Sequence, residues 1–262
     1  MRYTSEVRYV SVDEARSARG LRLVVLTAIP SPWSEAAKSI FDVKGLDYVA
    51  VKFTPRDESV RAWTSTHNAP VVFYDDEPPR SGWADILWLG EQLEGSASLV
   101  PRDADERLLL YGLAHEIMGA GGLLWNGRLM LIHAGLTSDG RQGFPPKLAT
   151  YLGPKYGYAP DRIAPARERL VSALGRLSER LSQNRRRGSP YLLGSELTAL
   201  DIYSATAFGL LAPMAHDLCP MLPVMRQSFE TMAAVAGQAL PPELIAHRDF
   251  VYERHLRLPI AI

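Results

Sequence analysis

One cysteine, Cys219, is the only thiol in 262 residues. A lone thiol excludes an internal disulfide and any cysteine-held metal cluster, and it suits a reducing compartment. An excess of either charge is missing too. Lys and Arg total 29, as do Asp and Glu, so no global field recruits nucleic acid or an anionic membrane. No uncharged run reaches the roughly 18 residues of a membrane span. The first twenty residues, "MRYTSEVRYVSVDEARSARG", are charged and hold no apolar core, so no signal peptide is expected. The six histidines show neither His-x-x-x-His nor His-Glu-x-x-His spacing, so no metal is expected. GxGxxG and P-loop patterns are absent, and "GAGG" at 119–122 falls inside a helical pattern. Repeats and low-complexity tracts are absent. The expectation is a cytoplasmic protein with a small-molecule partner.

What is present suits a globular chain. Hydrophobic residues make up 47%, enough to fill one large domain or two smaller ones. Residues 1–20 read as an N-terminal extension, with Ser11 and Glu14 spaced as a capping box. "LRLVVLTAI" (21–29) reads as a buried strand, and "SEAAKSIFDVKGL" as a helix stopped by Gly45. "DYVAVKF" (47–53) alternates as a second strand. A polar helix follows, then a strand at Val71–Tyr74 and a helix in "GWADILWLGEQL". This is a β-α-β-α-β-α unit over residues 21–95, followed by a linker at 96–104.

From residue 105 to 262 the pattern is all-helical. "DERLLLYGLAHEIMGAGGLLWNGRLMLIHAGL" (105–136) has helical spacing weakened at Gly119, Gly121 and Gly122. A stretch of about 29 residues rich in Gly and Pro (137–165) reads as a long loop. An amphipathic helix carries Leu170, Leu174, Leu177 and Leu181, and two or three more helices complete the chain.

Three motifs stand at the joints of this pattern. "SPWS", Ser31–Ser34, sits where a helix follows the first strand, and its order matches a Cys-Pro-x-Cys motif with both sulfurs replaced by oxygen. "NAPVV" puts Pro70 just before the third strand. "TALD" offers Thr198 and Asp201 as a capping box. With the two-part organisation, these make the chain resemble the cytosolic glutathione transferase superfamily, over residues 21 to about 235. The fold implied is an α/β thioredoxin-like domain plus an all-α domain, usually in a homodimer.

The resemblance implies glutathione as cosubstrate. Ser31 would stabilise its thiolate at a helix N-terminus, with Ser34 as a second donor. Read from the residues alone, Ser31 is equally an N-cap followed by a favourable N1 proline, and Ser34 a helix-face serine. Trp33, Ala69 and a cis Pro70 would line the tripeptide. Arg80, Ser81 and Gly82 stand where the superfamily usually has Glu-Ser, so Arg80 either pairs with a ligand carboxylate or is a solvated charge. A pocket for a small apolar electrophile would take His115, Trp125 and Arg128. Phe144, Tyr151, Tyr156 and Tyr158 either overhang that pocket or anchor the long loop. The function implied is glutathione transfer. The alternative is a binding or structural protein that keeps the fold without glutathione. The missing cysteines argue against thiol–disulfide exchange.

Overall fold

The computed structural model describes residues 6–54, 57–93 and 98–261. A short helix, α1 (Val12–Ser17), begins the described elements, and its Ser11 hydroxyl accepts the Glu14 N–H. Three strands follow: β1 (Leu21–Leu26), β2 (Tyr48–Phe53) and β3 (Val71–Tyr74). They lie in the order β2-β1-β3, β2 parallel to β1 and β3 antiparallel. Between them run α2 (Pro32–Lys44) and α3 (Glu58–Thr64), and α4 (Trp83–Gln92) comes after. Gly45 ends α2 in the left-handed region (φ 68), which a residue without Cβ adopts freely.

Strand alternation divides the sheet residues between two layers. Val24, Val51, Phe53, Val71 and Phe73 pack with Ala15 and Val60, and Trp63 stacks on Phe73 at 4.3 Å. Leu23, Val25, Ala50 and Val72 join the larger core, which continues through α2 and α4 into the helical half. Both outer edges of the sheet are closed. Val10 N–H donates to Ala50 O, and Ala50 N–H to Arg8 O, along β2; Arg80 pairs with Val72 along β3. Such cover removes a template for intermolecular pairing.

The second half holds α5 (Ala104–Met118), α6 (Leu123–Thr137), α7 (Pro146–Tyr156) and α8 (Ile163–Arg186). Then come α9 (Ala199–Leu211), α10 (Pro223–Glu230), α11 (Met232–Ala236) and α12 (Pro242–His255). Every residue of α9 is buried, which makes it the central helix. The weakened 105–136 pattern resolves into two helices, because Gly122 packs against the His115 and Glu116 carbonyls, where no Cβ fits. The expected boundary near 95–96 lies outside the described residues.

The 137–165 segment corrects the sequence reading. It is not a long loop: α7 occupies its middle, with Pro146 at the first position and Gly157 as a left-handed cap. Ala149, Gly153 and Tyr156 are buried on one face. Proline density hid this helix: Pro146 opens it, where its missing N–H costs no helical bond, and Pro154 removes one N–H donor in its last turn, close to the Gly157 cap.

Remote segments converge on α2. Tyr9 hydroxyl donates to Ala261 O at 3.4 Å, Lys38 Nζ also donates to Ala261 O, and Arg257 pairs with Asp42 at 2.9 Å.

Candidate functional site

β1 ends at Leu26, and the chain reverses through Ala28, at φ 70. Ser31 N–H donates to Ile29 O at 2.8 Å, and Ser31 O accepts the Glu35 N–H at 2.8 Å. Ser31 is thus the N-cap of α2 by backbone, with φ −62 and ψ 117. Its hydroxyl makes no capping bond and no other hydrogen bond with the described residues, although the residue is only 3% exposed. A capping hydroxyl would bind the N–H of the second or third helical residue. This one stays uncommitted at the positive end of a 13-residue helix.

The other two side chains of the turn are committed. Ser34 is fully buried and its hydroxyl accepts the Leu26 N–H at 3.1 Å, tying the helix to the strand end. Trp33 Nε1 donates to Met118 O at 2.9 Å, which joins the turn to the end of α5.

The Ala69–Pro70 peptide is cis. Because Val24 pairs with Val71 in an antiparallel register, residues 69–70 lie at the same end of the sheet as the turn after β1. Neither the N–H nor the C=O of Ala69 is hydrogen bonded to a described residue. An unpaired extended segment at a sheet edge can accept a peptide backbone.

At the start of α4, Gly82 is the N-cap and Ser81 is exposed. Arg80 is taken by Glu77, at 2.6 Å. The Asp85 carboxylate folds back so closely that a Cβ on Gly82 would stand 2.5 Å from Asp85 Oδ2. A negative side chain therefore already occupies the helix N-terminal turn, where it favours the dipole.

No hydrogen bond, ion pair or ring contact joins the three residues assigned to a second-substrate pocket. His115 is exposed on α5 near the Trp83 ring, 6.5 Å between centroids. Trp125 Nε1 donates to Tyr156 O at 3.1 Å and packs edge-on against that ring, which holds α7 to α6. Arg128 is buried, its guanidinium carbon 5.9 Å from the Trp33 ring centroid. The loop aromatics are anchors more than a rim. Phe144 and Tyr156 are buried, Tyr158 hydroxyl meets His133 Nδ1 at 3.0 Å, and Tyr151 is exposed on α7.

The capping box of α9 is built as the spacing indicates. Asp201, fully buried, accepts from Thr198 N–H (2.9 Å), Thr198 hydroxyl (2.9 Å) and Leu192 N–H (2.8 Å). His247 Nε2 stands 3.3 Å from Asp201 Oδ1, without hydrogen-bond geometry. His247 carries no local sequence signal, since its place beside Asp201 depends on elements brought together by the fold, whereas the buried Glu35–Lys38 pair (2.8 Å) is three residues apart on α2 and its spacing could have been read from the sequence. Burial lifts the Glu35 carboxyl above its ordinary range, with the Lys38 charge opposing. Burial likewise pushes the Cys219 thiol up to about 11.

Comparison with solved structures gives the architecture its parallel. A glutathione S-transferase domain-containing protein of Marinobacter aquaeolei VT8 matches with a TM-score of 0.61 at 19% identity. The match covers 89% of this chain and 98% of that one. A glutathione transferase family member from Pseudomonas fluorescens Pf-5, with two glutathione bound, matches with a TM-score of 0.62 at 15% identity, over 95% and 98% of the chains. A glutathione S-transferase from Methylobacillus flagellatus KT, with glutathione bound, gives 0.58 at 15% identity, over 90% and 96%. No protein-family profile and no curated protein matches the sequence. The chain has the glutathione transferase fold: a thioredoxin-like unit joined to an all-helical half.

Proposed function

We propose that the chain is a glutathione transferase-like enzyme in which Ser31 stabilises the thiolate of bound glutathione. The observation that carries this reading is the Ser31 hydroxyl, uncommitted at the N-terminus of α2 and at the same sheet end as the unpaired backbone of Ala69. The cysteinyl part of glutathione would pair with Ala69 in strand fashion. The Ser31 O–H then donates to its sulfur, and the helix terminus favours the negative charge. Lowering a thiol pKa from about 8.5 to about 6.5 raises its ionised fraction at pH 7 from roughly 3% to roughly 75%. The thiol proton passes to water. The sulfur then forms a bond to an electrophilic carbon, and the leaving group departs with its electron pair.

Trp33, Ala69, Pro70, Ser81 and Gly82 are proposed to border the tripeptide; Ser34 is proposed only as a support for the turn. The lone buried thiol is consistent with a cytoplasmic setting. A homodimer is part of the proposal. Trp88 on α4 and Leu108 on α5 are 57% and 73% exposed, so each half offers an apolar residue for an interface.

A second reading, a binding protein that has kept the fold without glutathione, is favoured by Asp85. Its carboxylate stands at the turn where the γ-glutamyl carboxylate would dock, and Arg80 is already paired. One titration separates the two. Glutathione binding at high-micromolar affinity or tighter, weakened in Pro70→Ala and strengthened in Asp85→Ala, supports the transferase reading. Loss of thiolate absorbance near 240 nm in the Ser31→Ala complex assigns the hydroxyl. No heat at millimolar glutathione, in wild type and Asp85→Ala alike, establishes the second reading.

A further inference from the structure

Five lysine or arginine side chains are buried among the described residues, and four of them have a hydrogen-bond or ion-pair partner, although the Nε of Arg22 has none. Lys38 meets Glu35, Lys44 meets Glu91 at 3.1 Å, Arg248 meets Asp249 at 2.6 Å, and Arg22 donates to the carbonyls of Gly20 and Asp75. Arg128 is the exception. It is 5% exposed, its Nε has no partner, and no described residue gives it a hydrogen bond or an ion pair. Its surroundings are three ring faces from separate parts of the chain. The guanidinium carbon lies 5.4 Å from the Phe144 centroid, 5.7 Å from Phe229 and 5.9 Å from Trp33. Rings attract the charge but leave five N–H donors unfilled, and an arginine does not shed its proton at neutral pH.

We propose that Arg128 is an anion subsite beside the Ser31–Ser34 turn, and that the second substrate is an aromatic electrophile bearing a carboxylate. The proposal rests on the transferase reading above and replaces its neutral apolar electrophile with an anionic one. Three features support it. A guanidinium matches a carboxylate through two parallel N–H bonds, which no other arrangement on α6 offers. Phe144 and Phe229 are fully buried while Trp33 keeps partial exposure, and of the guanidinium nitrogens only Nε is wholly shut off from solvent without a partner. The region is also positive beyond one group. Lys155 is held below the ordinary lysine range by desolvation and by the Arg128 charge, and Tyr156 is the sole described group acting on Arg128 in the opposite sense.

The test compares 4-chloro-3,5-dinitrobenzoate with its methyl ester in the presence of glutathione, each kcat/KM divided by the uncatalysed rate constant of the same compound with glutathione, because the ester is the intrinsically more activated ring. Wild type should favour the acid at least tenfold in kcat/KM, expressed in KM. Arg128→Met should bring that ratio to about one, and Arg128→Lys should lie between. A parallel calorimetric titration uses unreactive 3,5-dinitrobenzoate without glutathione. Binding by wild type that falls at least tenfold in Arg128→Met supports the subsite even where glutathione itself does not bind, so the two readings fail separately. Glutathione and its glycyl ethyl ester form the third arm. If Arg128→Met weakens the tripeptide but not the ester, the carboxylate belongs to glutathione and the second-substrate assignment falls. A wild-type ratio near one, or benzoate binding equal in wild type and Arg128→Met, overturns the proposal, and the wild-type ratio needs no variant to fold.

Discussion

Replacing Asp201 by alanine should be among the costliest single changes in the chain. The carboxylate is fully buried and accepts three hydrogen bonds, two from backbone N–H groups and one from the Thr198 hydroxyl. Alanine leaves all three donors in a dry interior, together with His247 deprived of its neighbouring charge. Bonds to a charged acceptor contribute about 1.5–3 kcal/mol each, and breaking a buried charged contact costs about 3–5 kcal/mol. Three bonds at the lower figure come to about 4.5 kcal/mol, which falls inside the second range, against a total stability of about 5–15 kcal/mol for ordinary proteins. The midpoint of thermal unfolding should fall by about 10–15 °C at roughly 2–4 °C per kcal/mol for a chain of this size. Urea unfolding read by tryptophan fluorescence, alongside calorimetry, measures both. Asparagine is the sharper comparison. It keeps the volume and one acceptor oxygen but turns an N–H₂ toward one donor, so it should recover about half of the loss. A loss below about 1.5 kcal/mol for alanine would refute the idea that this carboxylate organises the start of α9.

Three further outcomes follow from burial and charge. Glu35 is shifted above its ordinary value of 4.5, so the folded chain holds that proton longer than the unfolded one. Its contribution is present below pH 4.5 and is lost as pH rises through the shifted value, so the urea midpoint should decline across that window. Glu35→Gln should flatten the decline, and an identical slope in both proteins would contradict the assignment. Cys219, buried and shifted to about 11, should not react with a disulfide reagent at pH 8 until urea unfolds the chain. Prompt native labelling would show that the site opens. Trp88→Asp combined with Leu108→Asp should convert a dimer to a monomer by light scattering, with the thermal midpoint nearly unchanged; a dimer that persists would move the interface elsewhere.

The parts legible in the sequence are those whose cause is local. Ser11 with Glu14, Gly45 after α2 and Thr198 with Asp201 announce caps within a few residues, and each cap stands where its spacing puts it. The β-branched run at 21–26 and the leucine stripe of α8 follow from strand and helix periods. Helix α7 escaped because prolines were read as breakers, when one of them is the preferred first residue. Partnerships across the fold had no local trace. Ser34 reads as a site residue, yet the Leu26 N–H claims its hydroxyl, whereas Arg80 is taken by Glu77 only three residues away. Arg128 was legible as a helix residue near a pocket. That it lacks a counter-charge is a property of every other chain segment around it, and only the assembled core reveals it.

The contacts of Tyr9, Lys38 and Ala261 bring segments far apart in sequence together beside α2. Tyr9 and Ala261 are joined across the helix that begins with Ser31, and Ile260 N–H is fastened to Leu218 O. Loosening the last residues would therefore free the first helix of the site as well, and the reverse holds by reciprocity. A ligand that settles against Ser31 should slow hydrogen exchange at Ile260. The amide of Ile260 thus becomes a distant reporter of what happens at the Ser31 turn.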